Sequence, residues 1–263
     1  MVLGNLLGKS MLRVILVNIA LLFAFNISPS YGNENISIEV PDSWVSIPNE
    51  VLNEYSEVIH QMAPNSEKQI YDYGYQLKSS ENWLVHPYIL VQVKNSGRVP
   101  ESKLSNLERV ERKLKEGASK VGGSTDGLVS EVDIQTPIYD ETTHVLFSTT
   151  TQMVEGIGQV KGLISILLTE KGFINIYAYS RANEFSNYVG QFEDIVRGVK
   201  LAPHLQYQSR MTDNLPIISG VDVEELFIGG IDWLQVLIAG LVGGLIAVGG
   251  SMYKRKKAPN KSN

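Results

Sequence analysis

Cysteine is absent from all 263 residues. That single absence removes disulfide staples, thiolate metal sites, a cysteine nucleophile and a lipid-modified cysteine together. Histidine is almost as scarce: His60, His86, His144 and His204 are scattered with no HExxH or HxxxH spacing, so no metal site is written locally, and each reads as a surface or strand-end residue. Glycine is plentiful but carries no nucleotide signature. The run from Gly156 to Gly162 misses the GxGxxG spacing. Gly122-Gly123-Ser124-Thr125-Asp126-Gly127 misses G-x-S-x-G and follows a helical pattern, which makes it a turn into the next strand. No catalytic, cofactor-binding or metal-ligating residue follows from motifs, and the chain is expected not to be an enzyme.

Positive charge is also sparse where it would matter for polyanions. All 28 acidic residues lie between Glu34 and Asp232, while 7 of the 23 basic residues fall outside that stretch. Inside it 16 basic residues face 28 acidic ones, a formal charge of −12. Such a domain is repelled by phosphate backbones, which excludes nucleic acid as a partner.

What the sequence does contain is two long apolar runs at its ends. Residues 14–25, VILVNIALLFAF, follow Lys9 and Arg13 and precede the small residues Ser30 and Gly32, the pattern of a signal peptide over residues 1–32 with removal near Gly32. The second run, Trp233 to Tyr253, has only Gln235 and Ser251 as polar side chains between its aromatic ends. As a helix its length matches the ~30 Å hydrocarbon core of a bilayer. Lys254, Arg255, Lys256 and Lys257 follow it, while Asp222, Glu224, Glu225 and Asp232 precede it, which places the C-terminus inside. The expected protein is a single-pass inner-membrane protein with its N-terminal domain outside and a basic tail, 254–263, in the cytoplasm. Within the span Ala239, Gly243, Ala247 and Ser251 recur every four residues, and Gly240 with Gly244 adds a GxxxG step. Small residues so spaced let backbones approach, so beside the bilayer a second transmembrane helix is an expected partner.

The domain between these runs, 35–203, mixes strands with three amphipathic helices. ISIEV at 36–40 alternates at period two, and a helix follows Asn49 with Val51, Leu52, Tyr55, Val58, Ile59 and Met62 on one face. Residues 71–77 and 87–94 read as strands, and a second helix opens at Pro100, carries Leu104, Leu107, Val110 and Leu114, and ends at Gly117. Residues 128–139, 144–154, 160–169 and 173–180 read as four long strands in antiparallel hairpins. A third helix carries Phe185, Tyr188, Val189, Phe192, Ile195 and Val196. The fold class is α+β, an antiparallel sheet flanked by helices in a layered sandwich, followed by a connector over 204–232 and the transmembrane helix. Tyr71, Tyr73 and Tyr75 alternate along one strand, as do Tyr177 and Tyr179; strict alternation puts the first three on one face, either a binding face or a surface packed beneath a helix.

The opening ISIEVPDSW, the helix PESKLSNLERV and the closing EFSNYVGQFEDIVRGVKL resemble the PsbP/Mog1/DcrB-type domain, in which an early strand leads to a P-x-x-W element and the final helix ends in an I-V-x-x-hydrophobic segment. The resemblance covers Ile36 to Leu201. It implies a small extracytoplasmic accessory protein that binds partners rather than turning over substrate. The expected function is an accessory, binding or assembly factor for an envelope complex; the alternative is an envelope sensor that holds a small molecule or lipid.

Overall fold

The computed structural model describes residues 30–33, 35–62, 68–101, 107–124 and 129–214. In chain order its elements are β1 (Ser30–Asn33), β2 (Ile36–Glu39), β3 (Trp44–Ser46), α1 (Asn49–Met62), β4 (Tyr73–Leu77), β5 (Tyr88–Lys94), α2 (Leu107–Ser124), β6 (Val129–Ile134), β7 (Ile138–Asp140), β8 (Val145–Val154), β9 (Gly158–Thr169), β10 (Gly172–Arg181), α3 (Phe185–Arg197) and β11 (Lys200–Leu201). A short 3-10 turn, Met211–Asn214, ends the described chain. Eight strands form the large sheet in the order β3-β4-β5-β10-β9-β8-β6, with β7 also on β8, and β1-β2-β11 form a small one. Every pairing is antiparallel. The α+β layered sandwich expected from the hairpin spacing is therefore what the described residues form.

The large sheet is covered on both sides, which explains why nine of the ten residues of β10 are buried. On one side α1 contributes Leu52, Tyr55 and Ile59, and α2 contributes Val110, Leu114 and Ala118; they pack over Tyr88, Leu90, Tyr177 and Tyr179. On the other, α3 sets Phe185, Phe192, Ile195 and Val196 against Ile36, Ile38, Ile174 and Ile176. The P-x-x-W element forms a turn closed by Trp44 N–H to Pro41 O at 2.9 Å, which drops the indole under α3, where its Nε1–H donates to Gln191 Oε1 at 2.9 Å. Gly74 is what lets α1 sit close, because a Cβ there would lie 2.8 Å from Leu52 Cδ2.

Three local expectations are corrected. Gly117 does not end α2, which runs on to Ser124 and takes Gly122 and Gly123 with it. One glycine costs a helix only about 1 kcal/mol, and the burial of Leu114 and Ala118 on either side of it outweighs that cost. The single strand expected over 128–139 is two strands. Pro137 has no N–H to give the ladder, so β6 stops at Ile134 and β7 resumes at Ile138, both on β8. The connector expected from residue 204 begins later, since Leu205, Tyr207 and Asp213 are buried against the domain.

The ends of the chain bear on topology. Gly32, the expected end of the signal peptide, lies inside β1 and pairs with Ser37. Among the described residues no helix is long and apolar enough to cross a membrane. The expected span Trp233–Tyr253, with Ala239, Gly240, Gly243, Gly244, Ala247 and Ser251, lies outside the described residues.

Candidate functional site

The tyrosine face dissolves on folding. Tyr71 is 4% exposed and Tyr75 is fully buried, while Tyr73 is partly buried. They also part sides: Tyr71 joins the layer under α1 and α2, whereas Tyr73 and Tyr75 join the layer under α3. Strict alternation fails because β4 begins only at Tyr73. Just before it Asp72 donates its N–H to Val91 O at 2.8 Å and accepts Val93 N–H on Oδ2 at 2.7 Å, which breaks the pleat. Tyr71 instead packs on Tyr55, ring centroids 5.4 Å apart. Of the two readings of these rings, packing beneath a helix fits Tyr71, and Tyr75 is buried on the opposite side.

The histidines do not share one environment. His204 is exposed and His60 half-buried. His86 is not a surface residue: it is buried, among the described residues neither ring nitrogen has a hydrogen-bond partner, and the ring lies 5.0 Å from that of Tyr88. Burial, with Arg181 adding to it, holds its pKa down at about 4.

His144 is the histidine placed for interaction. Asp140 Oδ1 accepts the N–H groups of Thr142 at 2.9 Å and Thr143 at 3.2 Å, closing the β7–β8 turn, and His144 leaves it with a positive φ of 54°. The ring is thereby directed onto Tyr207, with centroids 4.9 Å apart, and onto Glu101 Oε1, 3.2 Å from Nδ1. Glu101 also accepts Tyr139 Oη–H at 2.8 Å and Ser209 Oγ–H at 2.6 Å. Burial pushes the Glu101 carboxyl up, but these donors outweigh it and hold the pKa below the usual value.

Beside this cluster the chain after β11 is clamped to the domain. The Arg98 guanidinium meets Asp213 through two bonds of 2.6 Å, Glu170 Oε1 at 3.1 Å and Gln208 O at 2.7 Å, and lies 4.4 Å above the Tyr207 ring. A planar fork matched to a carboxylate is the strong form of ion pair, and the Arg98 bond holds the Asp213 pKa below its ordinary value. Tyr207 Oη–H donates to Val99 O at 2.8 Å, and Arg210 pairs with Glu170. Sequence reading missed this clamp because Arg98 and Asp213 are 115 residues apart. A local hint was the alternation of Leu205 and Tyr207, with Gln206 between them bridging to Thr169.

Between the clamp, β11 and the end of α3 runs a groove of about 380 Å³ whose lining includes His144, Arg197, Lys200, Gln206 and Tyr207. Its floor is apolar, from Val145, Leu167 and Val196. Arg197, in the last turn of α3, pairs with Asp140 and lies 4.8 Å over the Phe147 ring; Lys200 pairs with Glu39. Among the described residues no group of three or more His, Asp or Glu side chains is arranged to hold a metal ion. The site offers cations, a hydrogen-bonding imidazole and an apolar floor.

Neither a family model nor a curated protein matches the chain. Among solved structures, the solution structure of cyanobacterial PsbP (CyanoP) from Synechocystis sp. PCC 6803 is similar over 68% of this chain and 96% of that one, at 10% identity and a TM-score of 0.43. No activity, ligand or partner follows from that likeness.

Proposed function

We propose that the chain is a membrane-anchored extracytoplasmic factor that binds or helps assemble a partner complex without turnover of its own. The observation that supports this most is the clamp on the C-terminal segment. Arg98 ties the chain down as far as Asp213, and only the 18 residues from 215 to 232 separate Asn214 from the apolar run at Trp233. Fully extended, they reach at most roughly 65 Å. The stretch 34–214, formal charge −8, sits on a short tether that adds four more carboxylates, and both are repelled by anionic headgroups, which leaves the groove side open to a protein neighbour. Gly240, Gly243 and Gly244 give the anchor a face on which a partner's helix packs closely.

Detergent extraction of the cross-linked full chain, with mass spectrometry, tests the reading. A reproducible membrane-protein partner is expected, lost when the three glycines become leucine although insertion persists. An isolated monomer with no stoichiometric partner would overturn it, as would an active alkaline phosphatase fused to the C-terminus, since that places the tail outside. N-terminal sequencing of the membrane form locates removal of the leader relative to β1, and a chain beginning at Met1 would mean two spans.

A further inference from the structure

The groove reverses the charge of the domain around it. Among the described residues no carboxylate lines it, yet Arg197 and Lys200 do, in a region of formal charge −12. Both cations are answered from outside the groove, by Asp140 and Glu39, and both side chains stay accessible at 40% and 66%. Exposed pairs of this kind are weak and exchange readily with another carboxylate.

His144 adds a group of the opposite kind. An ionised Glu101 only accepts, so in its neutral form the ring turns Nδ1–H toward Glu101 and presents Nε2 as an acceptor. Both bonds of this ring fall on Nδ1, and Tyr207 supports its face. β11, at one edge of the small sheet, contributes Lys200 and Leu201 to the groove, where Leu201 O already accepts Gln206 Nε2–H at 3.2 Å.

Two cations for a carboxylate, an acceptor for an N–H and an apolar floor are together what the end of a protein chain requires. We propose that this groove captures the free C-terminus of an extended peptide from a partner protein. The α-carboxylate replaces Asp140 and Glu39 on Arg197 and Lys200, a backbone N–H donates to His144 Nε2, and an apolar side chain lies on Val145, Leu167 and Val196. A simple hydrocarbon acid would use the cations and the floor but leave the Nε2 acceptor unanswered. The inference rests on the binding function proposed above and names where the partner is held.

The purified full chain in detergent, immobilised, is exposed to a random hexapeptide mixture with free C-termini and to the same mixture amidated. Retention of the free acids over the amides, with apolar last residues enriched, is expected. Affinity should drop about tenfold or more in R197A/K200A, the loss of a charge-assisted hydrogen bond, with the melting temperature little changed. Equal retention of amides, or retention no greater than that of the double variant, overturns the proposal. So does saturable binding of dodecanoate without peptide binding, which assigns the groove to a small-molecule or lipid sensor instead. If the peptides fail while R197A/K200A still co-purifies its membrane partner, this inference falls and the binding function stands.

Discussion

The two sides of the large sheet bury similar numbers of side chains but solve different problems. Under α3 the layer is almost purely hydrocarbon, built from Ile36, Ile38, Ile89, Val91, Ile174, Ile176 and Phe192. Under α1 and α2 the sheet presents Tyr88, Tyr177, Tyr179, Gln92 and His86. The first kind of layer is held mainly by removing apolar area from water, with the Trp44–Gln191 bond among its few polar contacts. In the second, Tyr177, Gln92 and Gln69 bond one another inside, so one lost atom exposes the cost of its neighbour. The groove and the clamp stand where the two layers meet at one end of the sheet, with Leu205 in one and Tyr207 in the other.

The largest effect should come from the hydrocarbon side. Phe192 is fully buried against Trp44, Phe185 and Tyr188, with ring centroids 6.1–6.3 Å away. Phe192→Ala should cost about 3–5 kcal/mol in urea denaturation through lost burial and the cavity left behind. A loss under ~1 kcal/mol would mean that α3 is not seated as described. Arg98→Ala comes next, at about 3 kcal/mol, because it strands the Asp213 carboxylate, whose side chain is only 4% exposed. Arg98→Lys should recover only part of that, since an ammonium lacks the fork. Limited proteolysis should then open the chain beyond Leu205, and an uncleaved variant would show that the segment is held by apolar packing alone.

That second result bears on what the sequence made legible. α3 was readable because Phe185, Tyr188, Phe192 and Val196 repeat at helical spacing, and α1 because Pro64 follows a clean stripe after Asn49. Strands β5, β9 and β10 were readable as β-branched runs between turn residues. Gly117 and Pro137 misled in opposite directions: tertiary packing overrode the first, and the missing N–H of the second split a strand that composition made continuous. The site was not legible. Arg98, Glu170 and Asp213 come from three separate loops, and no period links them. The sides of the tyrosines depended on where the ladder begins, which a pattern of alternate residues does not encode.

Acid sharpens the contrast between the layers. The folded His86 ring resists a proton that the unfolded chain accepts, its pKa being about 4 against an ordinary 6.5. Between those values the unfolded state binds more protons, so the stability present above pH 6.5 is lost as pH falls toward 4, by up to about 3 kcal/mol. Asp213 and Glu170 behave differently, because their folded pKa values lie below the ordinary 3.8 and 4.5. Their contribution is present above the ordinary carboxylate range and is lost only as pH falls through it and below. His86→Gln should therefore flatten the stability profile between pH 6.5 and 4 and leave the acid limb in place. An unchanged profile would mean that the ring takes up its proton in the folded chain.

The smallest effect isolates one hydroxyl of the polar layer. Tyr177 is fully buried on β10, and its Oη–H donates to Gln92 Oε1 at 3.2 Å, while Gln92 Nε2–H donates in turn to Gln69 Oε1 at 3.0 Å. Burial raises the Tyr177 pKa well above the ordinary value, so the hydroxyl keeps its proton and acts as a donor at any working pH. Tyr177→Phe preserves the ring and its packing in the layer under α1 and α2 but leaves the Gln92 carbonyl without that donor. The bond itself is worth about 1 kcal/mol, and removing a buried hydroxyl returns part of the desolvation it had cost, so a net loss of about 1 kcal/mol is expected. The urea midpoint should fall with an unchanged slope. Tyr177→Phe combined with Gln92→Leu should not recover the loss, because it removes the orphaned acceptor but takes from Gln69 Oε1 the donor it had. If the single variant is as stable as the parent, the polar layer behaves as hydrocarbon does, and the contrast between the two sides is one of composition without energetic consequence.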